Sequence, residues 1–155
     1  MCKSCWTVSG ILLVAILVMS YKFILTGAVE PSTDGRQAIV LEEAERNIVL
    51  GEMRMFLASV QKISNGIAIE DMNIVVKAAR EVGLAAQQEV PGALMKKLPL
   101  AFKKLGYDTH KKFDALAQDA KDLGDPQHAL QQLSTLMNNC VACHSAYQIK
   151  VMISK

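Results

Sequence analysis

The sequence predicts an all-α fold: an antiparallel up-down-up-down four-helix bundle, preceded by an N-terminal hydrophobic signal-anchor helix. Three observations predict it. Residues 6–29 form one apolar run whose only charge is Lys22. Beyond that run, successive stretches carry apolar residues at helical spacing. Between the stretches lie Gly, Pro, Asn and Asp residues of the kind that stop one helix and start the next.

The apolar run reads WTVSGILLVAILVMSYKFILTGAV. Its length suits a bilayer span of about 20 residues, and Lys22 can snorkel to an interface. Lys3 and the amino terminus give a basic start, and no acidic residue occurs before Glu30. A cleaved signal peptide is the rival reading. Ile11 to Met19 has the length of an h-region, and Thr26-Gly27-Ala28 is small enough for cleavage. The resumption of apolar character after Lys22 favours an uncleaved anchor. Either way the rest of the chain is exported. The expected location is periplasmic, anchored in the inner membrane. The chain then divides into a signal anchor (1–29), a polar linker (30–35) and a helical domain (36–155).

The 155 residues suffice for one domain with a real core. The chain holds 17 Lys and Arg against 15 Asp and Glu. Setting aside residues 1–29 removes Lys3 and Lys22 and no acid, which leaves 15 against 15. A formally neutral domain has no electrostatic footprint for nucleic acid. No phosphate loop, H-E-x-x-H or serine elbow occurs, and no enzymatic activity is expected.

Helix A is expected over 36–63, with Ile39, Ala44, Ile48 or Val49, Met53, Phe56, Leu57, Val60 and Ile63 on one stripe and Asn65-Gly66 ending it. Helix B starts at Asp71 as N-cap and continues through Val75, Ala78, Ala79, Val82 and Ala85. Residues 89–99, bounded by Pro91 and Pro99, read as a connection with one helical turn. Helix C covers 100–123, with Phe102, Leu105, Thr109, Phe113, Leu116, Ala120 and Leu123 inward. Gly124-Asp125-Pro126 supplies a stop, an N-cap and a first-turn proline. Helix D follows over 126–149. Its stripe is Leu130, Leu133, Leu136 or Met137, Cys140, Cys143 with His144, Tyr147 and Val151.

The four cysteines fall in two C-x-x-C pairs, Cys2/Cys5 and Cys140/Cys143. A four-thiolate zinc site would need both pairs together, and the apolar segment separates them. Cys140-Val141-Ala142-Cys143-His144 has the spacing of c-type haem attachment. On a helix the three side chains stand at i, i+3 and i+4, on one face. Two thiols bond the haem vinyl groups and the histidine takes an axial site on the iron. One covalently attached haem c, with His144 as proximal ligand, is therefore the expected cofactor. The stripe puts the motif on the core face, where a macrocycle can be wrapped in apolar side chains. A Cys140–Cys143 disulfide, a redox-active thiol pair or a metal site in a haem-free helical interaction domain is the competing reading. A Cys140/His144 nucleophile pair would have poor access to substrate.

Met53 is the candidate sixth iron ligand, because it shares its stripe with Phe56, Leu57 and Val60; filling core volume is the alternative. Leu50 opposite the iron would leave the sixth site open to nitric oxide or carbon monoxide. His110, beside Phe113 and Ala117, is a weaker distal candidate; the simpler reading is a partly buried histidine bonded to a carbonyl or water. Tyr147 is expected to pack on the haem edge or the core, and His128 to be a surface residue. Lys96, Lys97, Lys103, Lys104, Lys111, Lys112 and Lys121 form either a solvated face or a docking patch for an acidic redox partner.

These features resemble the cytochrome c′ family, over roughly residues 36–150. The likeness is carried by CVACH at 140–144 and by Tyr147, where the family has C-x-x-C-H-x-x-[FY]-[KR]. Gln148 departs from the family's basic residue, with Lys150 as a nearby substitute. Glu52-Met53-Arg54-Met55-Phe56-Leu57 and Thr109-His110-Lys111-Lys112-Phe113-Asp114 look like segments of membrane-anchored or exported c′-like cytochromes. The resemblance implies a helix A arginine near the haem carboxylates, for which Arg46 is placed, with Leu50 or Met53 facing the haem. It implies single-electron transfer with redox partner proteins, or binding of nitric oxide if the sixth site is open. A second copy of the chain, in a homodimer, is a further candidate partner.

Overall fold

The computed structural model describes residues 3–152; Cys2 and the side chain of Cys5 lie outside the described set. The chain is mostly helical, with a small three-stranded sheet. Helix α1 (Lys3–Ser20) runs directly into a π-helical segment, Tyr21–Thr26. Within it, Trp6–Thr26 is the one helix among the described residues long and apolar enough to cross a membrane, with mean hydropathy 2.3 and none of it buried. At about 1.5 Å per residue its 21 residues match a hydrocarbon layer of about 30 Å. Gly27 ends it with φ 67°, a left-handed conformation that favours glycine.

Residues 30–41 are not a linker leading into a helix. They form a hairpin: β1 (Val29–Pro31) pairs antiparallel with β2 (Gln37–Leu41). Strand β2 then pairs in parallel with β3 (Tyr147–Val151) at the other end of the chain. Ala38, Ile39 and Leu41 are buried, so the apolar stretch QAIVL packs as a strand. Its partner lies more than a hundred residues away, and nothing local signals the pairing. Accordingly helix α2 starts at Glu43, not Arg36, and a capping box between Glu42 and Glu45 opens it.

Helix α2 (Glu43–Ala68) passes through Asn65-Gly66 without stopping. Gly66 is buried, and a Cβ there would meet Val75 Cγ2 at 2.9 Å and the Asp71 carbonyl at 3.0 Å. Its role is therefore close approach of the next helix, not termination. Helix α3 (Met72–Arg80) begins on Asp71, whose carboxylate accepts from the Asn73 and Ile74 amides. It is shorter than expected and gives way to a 3₁₀ segment, Leu84–Glu89. A short helix α4 (Gly92–Lys97) leads to α5 (Leu100–Leu123). Gly124 ends α5 in the left-handed conformation, and Asp125 caps α6 (Pro126–Ala146) with Pro126 in the first turn. These boundaries follow the local signals. Helix α6 stops at Ala146, short of Ile149, because Tyr147 onward belongs to β3.

Two apolar clusters organise the packing. The larger takes Ile63 from α2, Val75, Ala78 and Ala79 from α3, Phe113, Leu116, Ala117 and Ala120 from α5, and Ala129, Leu133 and Leu136 from α6. The smaller joins Ile39 and Leu41 of β2 to Val49, Leu94 and Leu98. Several residues expected on inward stripes stay outside both clusters: Leu57 is 71% exposed, Leu123 61%, Leu130 45% and Met137 39%.

Phe113 anchors the larger cluster. It is fully buried and stacks on Phe56 with ring centroids 5.5 Å apart. Phe113→Ala should cost about 3–5 kcal/mol. In a urea titration this appears as a lower midpoint with little change in slope.

Candidate functional site

Between the two clusters the helices part. A cavity of about 580 Å³ opens there, within the range of cofactor pockets. Helix α2 lines it with Met53, Phe56, Leu57 and Val60 among others, α5 with Phe102, Leu105 and His110, and α6 with Met137, Cys140, Cys143 and His144. The i, i+3, i+4 spacing thus brings both thiols and the imidazole to one cavity, as the sequence predicts. The setting differs from the expected core face: Cys140 and Cys143 are half-buried, while His144 and Val141 are exposed. Among the described residues no three His, Cys, Asp or Glu side chains gather as a shell for a metal ion.

The thiols are not activated. Burial pushes Cys140 above the usual thiol range. Burial, and next the neighbouring Cys140, push Cys143 up to about 11. Both lie in the C-terminal half of α6, where the helix dipole disfavours a thiolate. Catalytic thiol pairs show the opposite trend, with lowered values at helix N-termini or beside cations.

His110 is fully buried at the cavity wall. Its Nδ1 lies 2.8 Å from the Val82 carbonyl and its Nε2 2.9 Å from Glu52 Oε1. Both ring nitrogens are engaged, which agrees with the simpler reading of this residue and leaves neither nitrogen free for a ligand. Burial disfavours its charged form, but the Glu52 carboxylate and the Val82 carbonyl outweigh burial and raise the pKa. Its ring also lies 4.9 Å from Phe56. Glu52 is the partner that sequence reasoning missed. The spacing from Glu52 to Phe56 places both on one face of α2, but only the packing of α5 shows that face meeting His110.

A smaller recess of about 210 Å³ adjoins the motif. Arg36, Arg46, Met53, Phe102, Cys143, His144, Tyr147 and Gln148 line it. Met53 therefore borders both spaces. Tyr147 packs edge-on against Phe102, ring centroids 5.5 Å apart. Arg46 also borders this recess. Arg36 was not foreseen. Its guanidinium donates to the carbonyls of His144 and Tyr147, each at 3.3 Å, and to Gln148 Oε1 at 3.4 Å. It is held in turn by Asp34 at 2.6 Å, whose pKa the guanidinium lowers to about 2. Lys150, the suggested substitute for a basic residue at 148, instead pairs with Glu30 at 3.3 Å. Gln148 is occupied with Ser32 and Arg36. Arg36 and Arg46 thus bring guanidinium groups to this recess, beside His144.

No protein-family model matches the chain, and neither does any curated protein or solved structure.

The raised thiol pKa has a kinetic consequence. A group with pKa about 11 is roughly 0.1% thiolate at pH 8. Iodoacetamide should therefore alkylate Cys143 of the haem-free chain slowly at pH 8, and about tenfold faster per pH unit above it. Peptide mass spectrometry across pH reads this directly.

Proposed function

We propose that the chain is a monohaem c-type cytochrome of c′-like fold, transferring single electrons on the exported side of a membrane to which α1 tethers it. The observation that carries this reading is the convergence of Cys140, Cys143, His144 and Met53 on one apolar cavity. The donor set fits a haem c: two neutral thiols for its vinyl groups and one imidazole for its iron. The walls fit it too. Leu57, Met137 and Val141 stand exposed around this cavity, and an apolar macrocycle would take them out of water. The fold is read as an antiparallel four-helix bundle of α2, α3, α5 and α6, because these four helices share the larger cluster and α2·α3, α3·α5, α5·α6 and α2·α6 are in contact.

A bound haem supplies a one-electron couple at its iron. The residues of this chain do the rest. Cys140 and Cys143 would hold the group covalently. His144 would hold the iron, with Met53 as the candidate second ligand; thioether ligation would raise the reduction potential. Phe56, Val60 and Leu105 offer apolar walls that would limit water around the bound group and so lower the local dielectric. Arg36 and Arg46 offer positive charge beside the motif, suited to the haem carboxylates. Arg36, just ahead of β2, also ties down the end of α6 through the backbone of His144. His110, engaged with Val82 and Glu52, fixes the facing wall.

Expression of the full chain with a haem-attachment system tests the reading. Haem should survive acid–acetone extraction in the intact chain and be lost in the Cys140→Ser, Cys143→Ser double variant. Absence of extraction-resistant haem from the intact chain would reject the cytochrome reading and leave a haem-free helical domain. Met53→Ala should convert a low-spin reduced spectrum into one that responds to carbon monoxide. If the intact protein already binds carbon monoxide readily, the gas-binding reading with nitric oxide as ligand replaces electron transfer.

A further inference from the structure

The apolar helix ends at Thr26, and the next two residues dock on the domain. The Ala28 amide donates to the Lys97 carbonyl at 2.7 Å. Gly27 is pressed so closely on the same corner that a Cβ would stand 2.5 Å from the Lys97 carbonyl oxygen and 2.8 Å from the Pro99 nitrogen. The π-helical segment Tyr21–Thr26 also contacts both α4 and α5. The α4–α5 corner therefore lies within a residue or two of where the span leaves the hydrocarbon, as short a reach as a chain allows. A flexible tether would leave the domain free to turn, whereas this junction fixes which face meets the bilayer.

That face is cationic. Lys96 and Lys104 are exposed, and Lys103 is half-buried with its ammonium 3.4 Å from the Met95 carbonyl. None of the three is in an ion pair among the described residues. Lys22, in the span's last turns, is exposed as well. The nearby carboxylates are already engaged: Glu42 and Glu45 hold Lys97, and Asp108 holds Lys112. Tyr107, 54% exposed, stands three and four residues beyond Lys104 and Lys103 on α5, so it shares their side of the helix. A lysine cluster with an exposed tyrosine at a membrane boundary suits headgroup contact.

We infer that the α4–α5 corner is a binding surface for anionic phospholipid headgroups, with Lys96, Lys103 and Lys104 as the contacting cations. The inference rests on the reading of Trp6–Thr26 as a membrane span. It gives the lysines near the connection a lipid partner, where the sequence suggests a solvated face or a protein partner. Because Met95 and Lys103 also line the large cavity, this surface places one rim of that cavity at the headgroup layer.

The test uses the full chain in vesicles of phosphatidylcholine alone and in vesicles where phosphatidylglycerol replaces part of it. A water-soluble amine acylating reagent is added, and each lysine is read by mass spectrometry relative to Lys121 in the last turn of α5. Labelling of Lys96, Lys103 and Lys104 should fall about threefold or more in the anionic vesicles and recover in high salt. Gly27→Ala, which breaks the corner contact and leaves the lysines in place, should weaken that protection. Equal labelling ratios in both vesicles overturn the headgroup surface while the span stands. Release of the chain from vesicles by alkaline carbonate overturns the span, and the surface with it.

Discussion

Two apolar clusters that never merge set the terms for everything else in this domain. The larger gathers α2, α3, α5 and α6 around Phe113, and the smaller gathers β2, α4 and the start of α2 around Ile39 and Leu41. Each is packed tightly enough to fix its own backbone, and close-packed interiors yield little. Helices that cross from one cluster to the other are therefore held apart in between. On α2 the change from one cluster to the other falls between Met53 and Phe56, and on α6 it falls after Leu136, with Tyr147 just past the helix end packed on the smaller cluster. The cavity is the interval between the two clusters. Its walls keep their separation because both ends are pinned, so the space persists without an apolar side chain to fill it.

Polar contacts span the same interval. His110, buried on α5, is held by the Val82 carbonyl behind it and by Glu52 of α2 in front. At the other end, the Arg36 guanidinium reaches the carbonyl of His144 in the last turn of α6 and that of Tyr147 just beyond it. Carbonyls at a helix C-terminus lack intrahelical donors and carry partial negative charge. Arg36 meets both needs at once, and Asp34 orients it. These contacts contribute less energy than the apolar clusters, but they settle where the walls stand.

What was legible in the sequence follows the range of the interaction. Asp71, Gly124, Asp125 and Pro126 act on neighbours within a few residues, and the helix boundaries they imply are the ones observed. The grouping of Cys140, Cys143 and His144 follows from the pitch of a single helix. The sheet did not show, because Gln37–Leu41 finds its partner at Tyr147–Val151. A run of four apolar residues, Ala38 to Leu41, fits a strand or a helix end equally well. Gly66 carries the sequence mark of a helix stop, yet its lack of a side chain serves contact with Val75. Arg36 and Glu52 were invisible for the same reason as the sheet: the carbonyls and the ring they meet come from segments far along the chain, Arg36 and Tyr147 being 111 residues apart.

The parallel pairing of β2 with β3 also orders events in time. Strand β2 follows closely on the apolar helix, whereas β3 comes only after α6, with all the helices of the domain between them. Their pairing closes nearly the whole domain into one loop. Such a closure adds little entropy cost for its length, but it is slow to find. The helices can assemble from local contacts while the sheet still lacks its third strand. Until that strand is added, the end of α6 has neither a strand to continue into nor the Arg36 contacts that fasten it. The segment bearing Cys140 to His144 is therefore fastened by contacts that form only when the two strands meet.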